Sequence, residues 1–477
     1  MARLTAGEIE VATMGVLMRG VRDAVFTGVS IDSRTVAAGE MFFAICGPHL
    51  DGHAFIPDVW ARGAAGAVVA NDYIAPGGMP ENFVLIRVQD THEALKALAH
   101  SIRIAWPGKL VAVTGSMGKT TTREFACQLI ATDFSAYQTP GNYNNLFGLP
   151  LALLGLESKH EVGIFEMGMS AAGEIAEMCR IARPDVGILT NVAPAHLEFF
   201  PSLEKIAEAK GELVQGLTAG GTLIYNVDDP LVSRLADRFD GDKISFGQSK
   251  TATVRADQIE ISNLSSTHFQ LSYKGRTLAA TLPFAGAHYV QNTLPGAALG
   301  FRFGMTPEEI VAAMAGLRPT AMRGKTLCFS EGFAVIDDSY NSNPHALQSM
   351  IEVLAAIPGF SRRILIAGEM LELGPDALRM HCECGAHAVR HGIDFIIGVQ
   401  GNAMEIVRAA TEAGLSADHA RFFETADDAA EFVAESVRSG DLVLIKGSRG
   451  VHMEKVVKKL NSCFTAVAGA GESDQVN

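Results

Sequence analysis

The stretch Val111–Thr122, VAVTGSMGKTTT, decides how the rest of the chain is read. An apolar run ends at Thr114, glycines follow at Gly115 and Gly118, and Lys119 opens a segment with helical character. A strand that runs through a glycine loop into a helix turns backbone N–H groups toward one point, and the start of a helix favours negative charge there. Glycine leaves those groups uncovered, Lys119 adds a compact cation, and the Thr120 hydroxyl suits Mg²⁺. Gly115, Ser116, Gly118, Lys119, Thr120 and Thr121 are therefore candidate ATP-binding residues. The loop is short, because the usual Walker pattern puts its first glycine where this chain has Val113. By itself it is a phosphate site or a tight turn beside an exposed lysine; strand and helix together favour the phosphate site.

Outward from the loop, short apolar runs alternate with amphipathic stretches, as in βα units that build a parallel sheet. KLVAVT, EVGIFEMG, DVGILTNV and GTLIYNV read as buried strands, and residues 119–132, 171–181 and 203–217 as helices. Between Thr253 and Pro283 the period changes to two, with Phe269, Leu271 and Tyr273 alternating and Lys274-Gly275 available for a turn, so a β-ribbon is predicted. A second α/β series begins near residue 320 with FAVIDDS, RRILIAGEM, DFIIGVQ and DLVLIKGS, after the irregular GLRPTAMRG. Before residue 108, MFFAICG and AGAVVA flank a helix in AFIPDVWARGA. The expected fold class is α/β in three domains. A small N-terminal α/β substrate domain takes 1–107, a central P-loop parallel-sheet ATPase domain with the β-ribbon 108–318, and a Rossmann-like C-terminal domain 319–465, with a disordered tail at 466–477.

Composition narrows the function classes. With 477 residues, 48% hydrophobic and 19% charged, the chain reads as globular and large enough for several cores. No apolar run is long enough to cross a bilayer and the N-terminus lacks a secretory pattern, so a cytoplasmic protein without membrane insertion is expected. A net charge of −14 argues against a nucleic-acid partner, so any polyphosphate must be held locally. Seven cysteines without a Cys-x-x-Cys pair point to buried, inert thiols rather than disulfides or zinc knuckles.

Three residues further along bear on the loop. Glu166 ends the next buried strand, where α/β sheets place functional groups; it reads equally as a Mg²⁺ ligand and as an ordinary strand-end acid. His196 follows the strand after that and would emerge at the same sheet edge, and this convergence favours function over a structural histidine. Lys210 lies on a helix among Ala207, Ala209, Leu213 and Val214. It reads as a solvated lysine or one lying along an apolar face; burial would leave a neutral amine able to add CO₂ and form a carbamate, which the spacing alone does not indicate.

Together these motifs resemble the Mur ligase family of ATP-dependent amide-forming enzymes, in which the short phosphate loop is normal. TGSMGKTTT, DSRTVAAGEMFFAICGPHLDGHAFI, GNYNNLFGLP, DDSYNSNP and GEMLELG carry the resemblance and span all three expected domains. It implies a ligase that adds D-alanyl-D-alanine to UDP-N-acetylmuramoyl-tripeptide through an acyl phosphate, as a monomer, with ATP, two Mg²⁺ ions and a carbamylated Lys210. The alternatives are a sibling ligase or folylpolyglutamate-type synthase adding one amino acid, or a P-loop switch without ligase activity. By the same resemblance Lys119, Lys210 and His196 would be catalytic, and Thr120, Glu166, His196 and Lys210 would hold metal. Asn292 would read adenine, Arg323 the phosphates and Asp338 the ribose.

For the substrate, the resemblance implies that Ser33, Arg34, Asp51, Gly52 and His53 grip the UDP end, letters that are also ordinary turn chemistry. Asn142, Asn144 and Asn145 would border the sugar-peptide path or form Asx turns, while Tyr340, Asn341, Asn343, Lys446, Ser448 and Arg449 would face the peptide or the dipeptide carboxylate. GPHLDGHAF and NVAPAHLEFF depart from the commonest family spellings, which bears on the nucleotide-sugar contacts and leaves the ATP site untouched.

Overall fold

The computed structural model describes residues 3–47, 50–193, 200 and 202–467. Three large sheets follow one another along the chain, with a two-stranded pairing of Leu4–Thr5 and Val25–Phe26 beside the first. The first has five strands in the order Val16–Arg19, Val84–Val88, Gly66–Ala70, Met41–Phe43 and Val29–Ser30, parallel except for the first pair. The helix Ile56–Ala61 lies where the apolar spacing put it, with Ile56 and Val59 fully buried. A longer helix, Thr91–Ala105, buries Leu95, Leu98 and Ala99, which recur at helical spacing, and is capped by Asp90, whose carboxylate accepts from the His92 and Glu93 amides at 2.7 and 2.9 Å.

The second sheet has nine strands. Ala136–Gln138, Val162–Glu166, Lys109–Thr114, Val186–Leu189, Thr222–Asn226, Asp242–Gly247 and Val254–Asn263 run parallel, and the antiparallel Ser266–Tyr273 and Arg276–Leu282 extend the last of these. Helices cover both faces of the parallel part, which is why its strands read as unbroken apolar runs: Leu110, Val111, Ala112 and Val113 are all fully buried. The ribbon turns at Lys274-Gly275, whose φ values of 47° and 79° suit a two-residue hairpin. Its Tyr273 ring stacks on Phe301 of the helix Ala287–Arg302 at 3.8 Å, fastening ribbon to domain.

The third sheet has seven strands in the order Ala420–Phe423, Phe395–Val399, Arg362–Gly368, Asp441–Lys446, Ala334–Asp338, Lys325–Phe329 and Ala466–Val467. The first five are parallel, with separate apolar cores on the two faces around Leu365 and Ile366. Ala466 and Val467, expected within a disordered tail, instead pair antiparallel with Phe329 and Cys328. Strand addition there uses main-chain hydrogen bonds, so exposed side chains with no apolar period give no warning of it. The remaining tail residues, 468–477, lie outside the described residues.

All seven cysteines are free thiols; Cys127, Cys179 and Cys384 are buried, and Cys46 and Cys463 are exposed. Among the described residues no helix is long and apolar enough to cross a membrane.

Candidate active site

The carboxyl ends of three adjacent strands build the site. Lys109–Thr114 leads into the glycine loop, and the helix Lys119–Ile130 begins directly after it. Gly118 has φ 74°, and a Cβ there would lie 2.3 Å from Asn292 Oδ1; one on Gly115 would lie 1.8 Å from Thr190 Oγ1. Both glycines are therefore fixed by backbone conformation and close approach together. A strap from the neighbouring strand's end holds the loop: the Met117 amide donates to Asn191 Oδ1 at 2.9 Å, Thr190 Oγ1 to Met117 O at 2.7 Å, and Ser116 Oγ to Ala193 O at 3.0 Å. An L residue in the left-handed region costs about 1–2 kcal/mol. Gly118→Ala, driven also against Asn292, is expected to shift the loop from its binding shape and weaken ADP binding roughly tenfold by calorimetry.

Lys119 donates to Gly115 O at 2.9 Å and Ser116 O at 3.4 Å. Burial pushes its pKa down, opposed by the Glu166 charge and reinforced by Arg323. Lys210, only 1% exposed, reaches the same carbonyl from the helix Leu203–Gln215, with Nζ 2.9 Å from Gly115 O. Burial and the nearby Lys119 charge hold its pKa well below the ordinary lysine value. One carbonyl thus accepts from two amines, and the deeper of them is driven toward its neutral form.

Glu166, 2% exposed, ends the strand on the loop's other side. Its Oε2 accepts from Thr120 Oγ1 at 2.8 Å and its Oε1 from Asn144 Nδ2 at 2.7 Å, while its amide donates to Thr139 Oγ1. Arg323 Nη2 donates to Thr120 Oγ1 at 3.3 Å, and its guanidinium lies 4.1 Å over the Tyr340 ring. Tyr289 fixes the same segment from the central domain, donating to Arg323 O at 3.0 Å. Thr120 and Glu166 so present two hard oxygen donors at the mouth of the loop.

Beyond the loop lies a cleft of about 470 Å³, bounded by Gly118, Thr121, Asn292, Arg323, Asp338 and Lys446 among others. Asp338 and Lys446 stand opposite each other at the ends of parallel strands and pair at 2.5 Å. Lys446 also donates to Asn341 O at 2.9 Å, so it links the segment expected toward the peptide to the cleft that Asn292 and Asp338 border. His288 adds an imidazole whose Nδ1 is buried without a partner, and burial pushes its pKa down to about 4, so it is uncharged at neutral pH.

The other sequence candidates scatter. Arg34 forms a bidentate pair with Asp32 at 2.9 and 2.7 Å beside Ser33, and these hydrogen bonds lower the Asp32 pKa to about 2. Asp51 accepts from the His53 amide and lies 2.5 Å from its ring, while His53 Nε2 accepts from the Ala70 amide at 2.9 Å. Gly52 passes so close to Ile45 that a Cβ would lie 2.7 Å from its backbone. Asn145 and Asn343 accept from the amides of Gly148 and Ala346 at the starts of helices, and Asn142 is exposed. Ser448 is buried, its hydroxyl accepting from the Leu371 amide at 2.9 Å, and Arg449 lies 5.8 Å from the Tyr340 ring. His196 lies outside the described residues. Thr190, Asn191 and His288 escaped the sequence reading; the available signal for the first two was a polar pair just past a buried strand at the loop's own sheet edge.

Known proteins share this fold. Family models match in all three parts of the chain: "Mur ligase family, catalytic domain" at residues 25–103, "Mur ligase middle domain" at 113–300 and "Mur ligase, glutamate ligase domain" at 322–449. The UDP-N-acetylmuramoyl-tripeptide–D-alanyl-D-alanine ligase of Bacillus subtilis is 33% identical over 91% of this chain and 93% of its own. The crystal structure of MurF from Acinetobacter baumannii superposes with a TM-score of 0.86 at 28% identity, covering 97% and 99% of the two chains. That of MurF ligase from Thermotoga maritima in complex with ADP gives 0.80 at 28% identity, covering 91% and 97%. With a relative one-third identical along nine-tenths of its length and the loop, strap and cleft in place, the chain belongs to the Mur ligase family.

Proposed function

We propose that the protein is an ATP-dependent amide ligase that joins D-alanyl-D-alanine to UDP-N-acetylmuramoyl-tripeptide, completing a muramoyl-pentapeptide for peptidoglycan, and that it works as a cytoplasmic monomer. The observation that carries the ligase reading is the pair of amines on Gly115 O. A generic phosphate-loop NTPase needs one charged lysine there, whereas a second amine, buried and driven toward its neutral form, suits carbamylation. The choice of substrates rests on the relatives, which match across nearly the whole chain.

ATP enters the cleft with its adenine toward Asn292, its ribose toward Asp338 and its phosphates on the loop amides, Lys119 and Arg323. The terminal carboxylate of the tripeptide attacks the γ-phosphorus; an O–P bond forms and the bond to ADP breaks, giving an acyl phosphate. The amine of the dipeptide attacks the acyl carbon, phosphate leaves with the C–O bond electrons, and the nitrogen loses a proton. Protein groups chiefly position the reactants and offset the charge of two converging anions. Thr120 and Glu166 are suited to hold Mg²⁺, joined by His196, and the ions supply charge neutralisation at the phosphates. The Lys210 amine would add to the carbon of CO₂ and lose a proton, giving a carbamate whose oxygens would suit a second Mg²⁺ ion. Ser33, Arg34, Asp51, Gly52 and His53 hold the UDP end; Asn142, Asn144 and Asn145 border the sugar-peptide path; Tyr340, Asn341, Asn343, Ser448 and Arg449 face the incoming dipeptide.

ADP release measured with each muramoyl-peptide and amine in turn tests the proposal. The expected result is turnover only when UDP-N-acetylmuramoyl-tripeptide and D-alanyl-D-alanine are both present. Stimulation by a single amino acid in place of the dipeptide assigns the sibling activity, and turnover with neither substrate assigns an NTPase.

A further inference from the structure

A second group of ligands lies in the C-terminal domain. Glu352 is on the helix Pro344–Ala356, His387 is on the helix Ala377–Arg390, and His391 caps the end of the latter. The spacing of four brings the two imidazoles onto one face, with ring centroids 4.1 Å apart and planes inclined by 32°. His391 Nδ1 lies 2.9 Å from His387 O; a carbonyl only accepts, so the proton is on Nδ1 and the Nε2 lone pair is free. His387 Nε2 is buried at ion-pair distance from Glu352, 3.3 Å from its Oε1, without well-formed hydrogen-bond geometry. One donor atom from each of the three side chains lies within 4.8 Å of the others, and this is the one such group among the described residues.

We propose that Glu352, His387 and His391 bind a borderline divalent transition-metal ion, with Zn²⁺ the best match. Two imidazole nitrogens and one carboxylate oxygen suit Zn²⁺ and leave a position for water, while Mg²⁺ prefers an all-oxygen shell. The backbone carbonyl on His391 Nδ1 plays the part usual for the far nitrogen of a metal-bound histidine, fixing tautomer and ring orientation. An ion here bridges two helices. The first of them also gives His345, Ala346, Ser349 and Met350 to the cleft, so the ion pins a wall of the cleft from its outer end.

The test uses the full-length chain without a histidine tag, stripped with a chelator and titrated with Zn²⁺ against a chromophoric competitor. One equivalent is expected to bind, unaffected by a large excess of Mg²⁺, and to raise the melting temperature. His387→Ala, His391→Ala and Glu352→Gln are each expected to weaken that binding by at least about 10- to 100-fold, the loss that even outer hydrogen-bond partners of a metal ligand bring. Circular dichroism of the variants checks that each is folded, and the positions are far enough apart in exposure that at least Glu352→Gln and His391→Ala test the site at the surface. Absence of saturable binding to the parent chain, or equal binding by the parent and a folded His387→Ala/His391→Ala double variant, overturns the proposal.

Discussion

Lys119→Met is expected to lower kcat by roughly 10²–10³-fold, the usual loss when one preorganised charge-stabilising group is removed, while the protein stays folded. Methionine keeps most of the length and removes the cation. In the structure the ammonium is already drawn into the loop by Gly115 O and Ser116 O, so it is positioned before a nucleotide arrives. Burial lowers its pKa, which makes the proton costly to hold until phosphate charge stands opposite. The cation should therefore contribute most when negative charge is greatest, as the carboxylate meets the γ-phosphate. The predicted pattern is a large fall in kcat with a smaller change in KM for ATP, measured by ADP release at saturating peptide and dipeptide. Lys119→Arg should recover little, because the planar fork does not replace a compact charge between two carbonyls. A kcat within about threefold of the parent would remove Lys119 from the chemistry.

How much of this was legible beforehand follows from how each contact is encoded. The loop, its strand and its helix were readable because their residues are contiguous and periodic. Glu166 was readable because a strand's end is a defined place in a parallel sheet. The Asp338–Lys446 pair joins residues 108 positions apart, and only strand order sets them side by side, so sequence proposed both residues and missed their partnership. The strap from Thr190 and Asn191 was missed because polar residues after a strand are also ordinary loop chemistry. Asn343 and Asn145 also have local duties for which asparagine is well suited: Asn343 caps the helix Pro344–Ala356, and Asn145 closes the turn that leads into the helix Gly148–Leu153. The strand Ala466–Val467 marks the same boundary, since main-chain pairing recruits a segment whose own pattern is weak.

Lys210→Met is expected to move activity and stability in opposite directions. Activity should fall by at least about 100-fold, because the variant cannot form the carbamate that the proposed second Mg²⁺ site requires. Stability should rise, because a 1% exposed amine beside another cation is replaced by an apolar chain of similar length. The carbonyl left behind is not orphaned: Gly115 O still accepts from Lys119 at 2.9 Å. Removing an under-satisfied buried group without stranding its partner should gain about 1–3 kcal/mol. The pH dependence fixes the cause. The folded-state pKa of Lys210 lies well below 10.5, so between the two values the unfolded chain binds the extra proton and parent stability rises with pH. The advantage of the variant is therefore largest below the folded pKa and shrinks as pH approaches 10.5. Melting curves in CO₂-depleted buffer check this sign, and added bicarbonate should then stabilise the parent chain and leave Lys210→Met unchanged. Equal activity in the variant would exclude the carbamate from the mechanism, and a lower melting temperature across that pH range would show that Lys210 is held there as a satisfied cation.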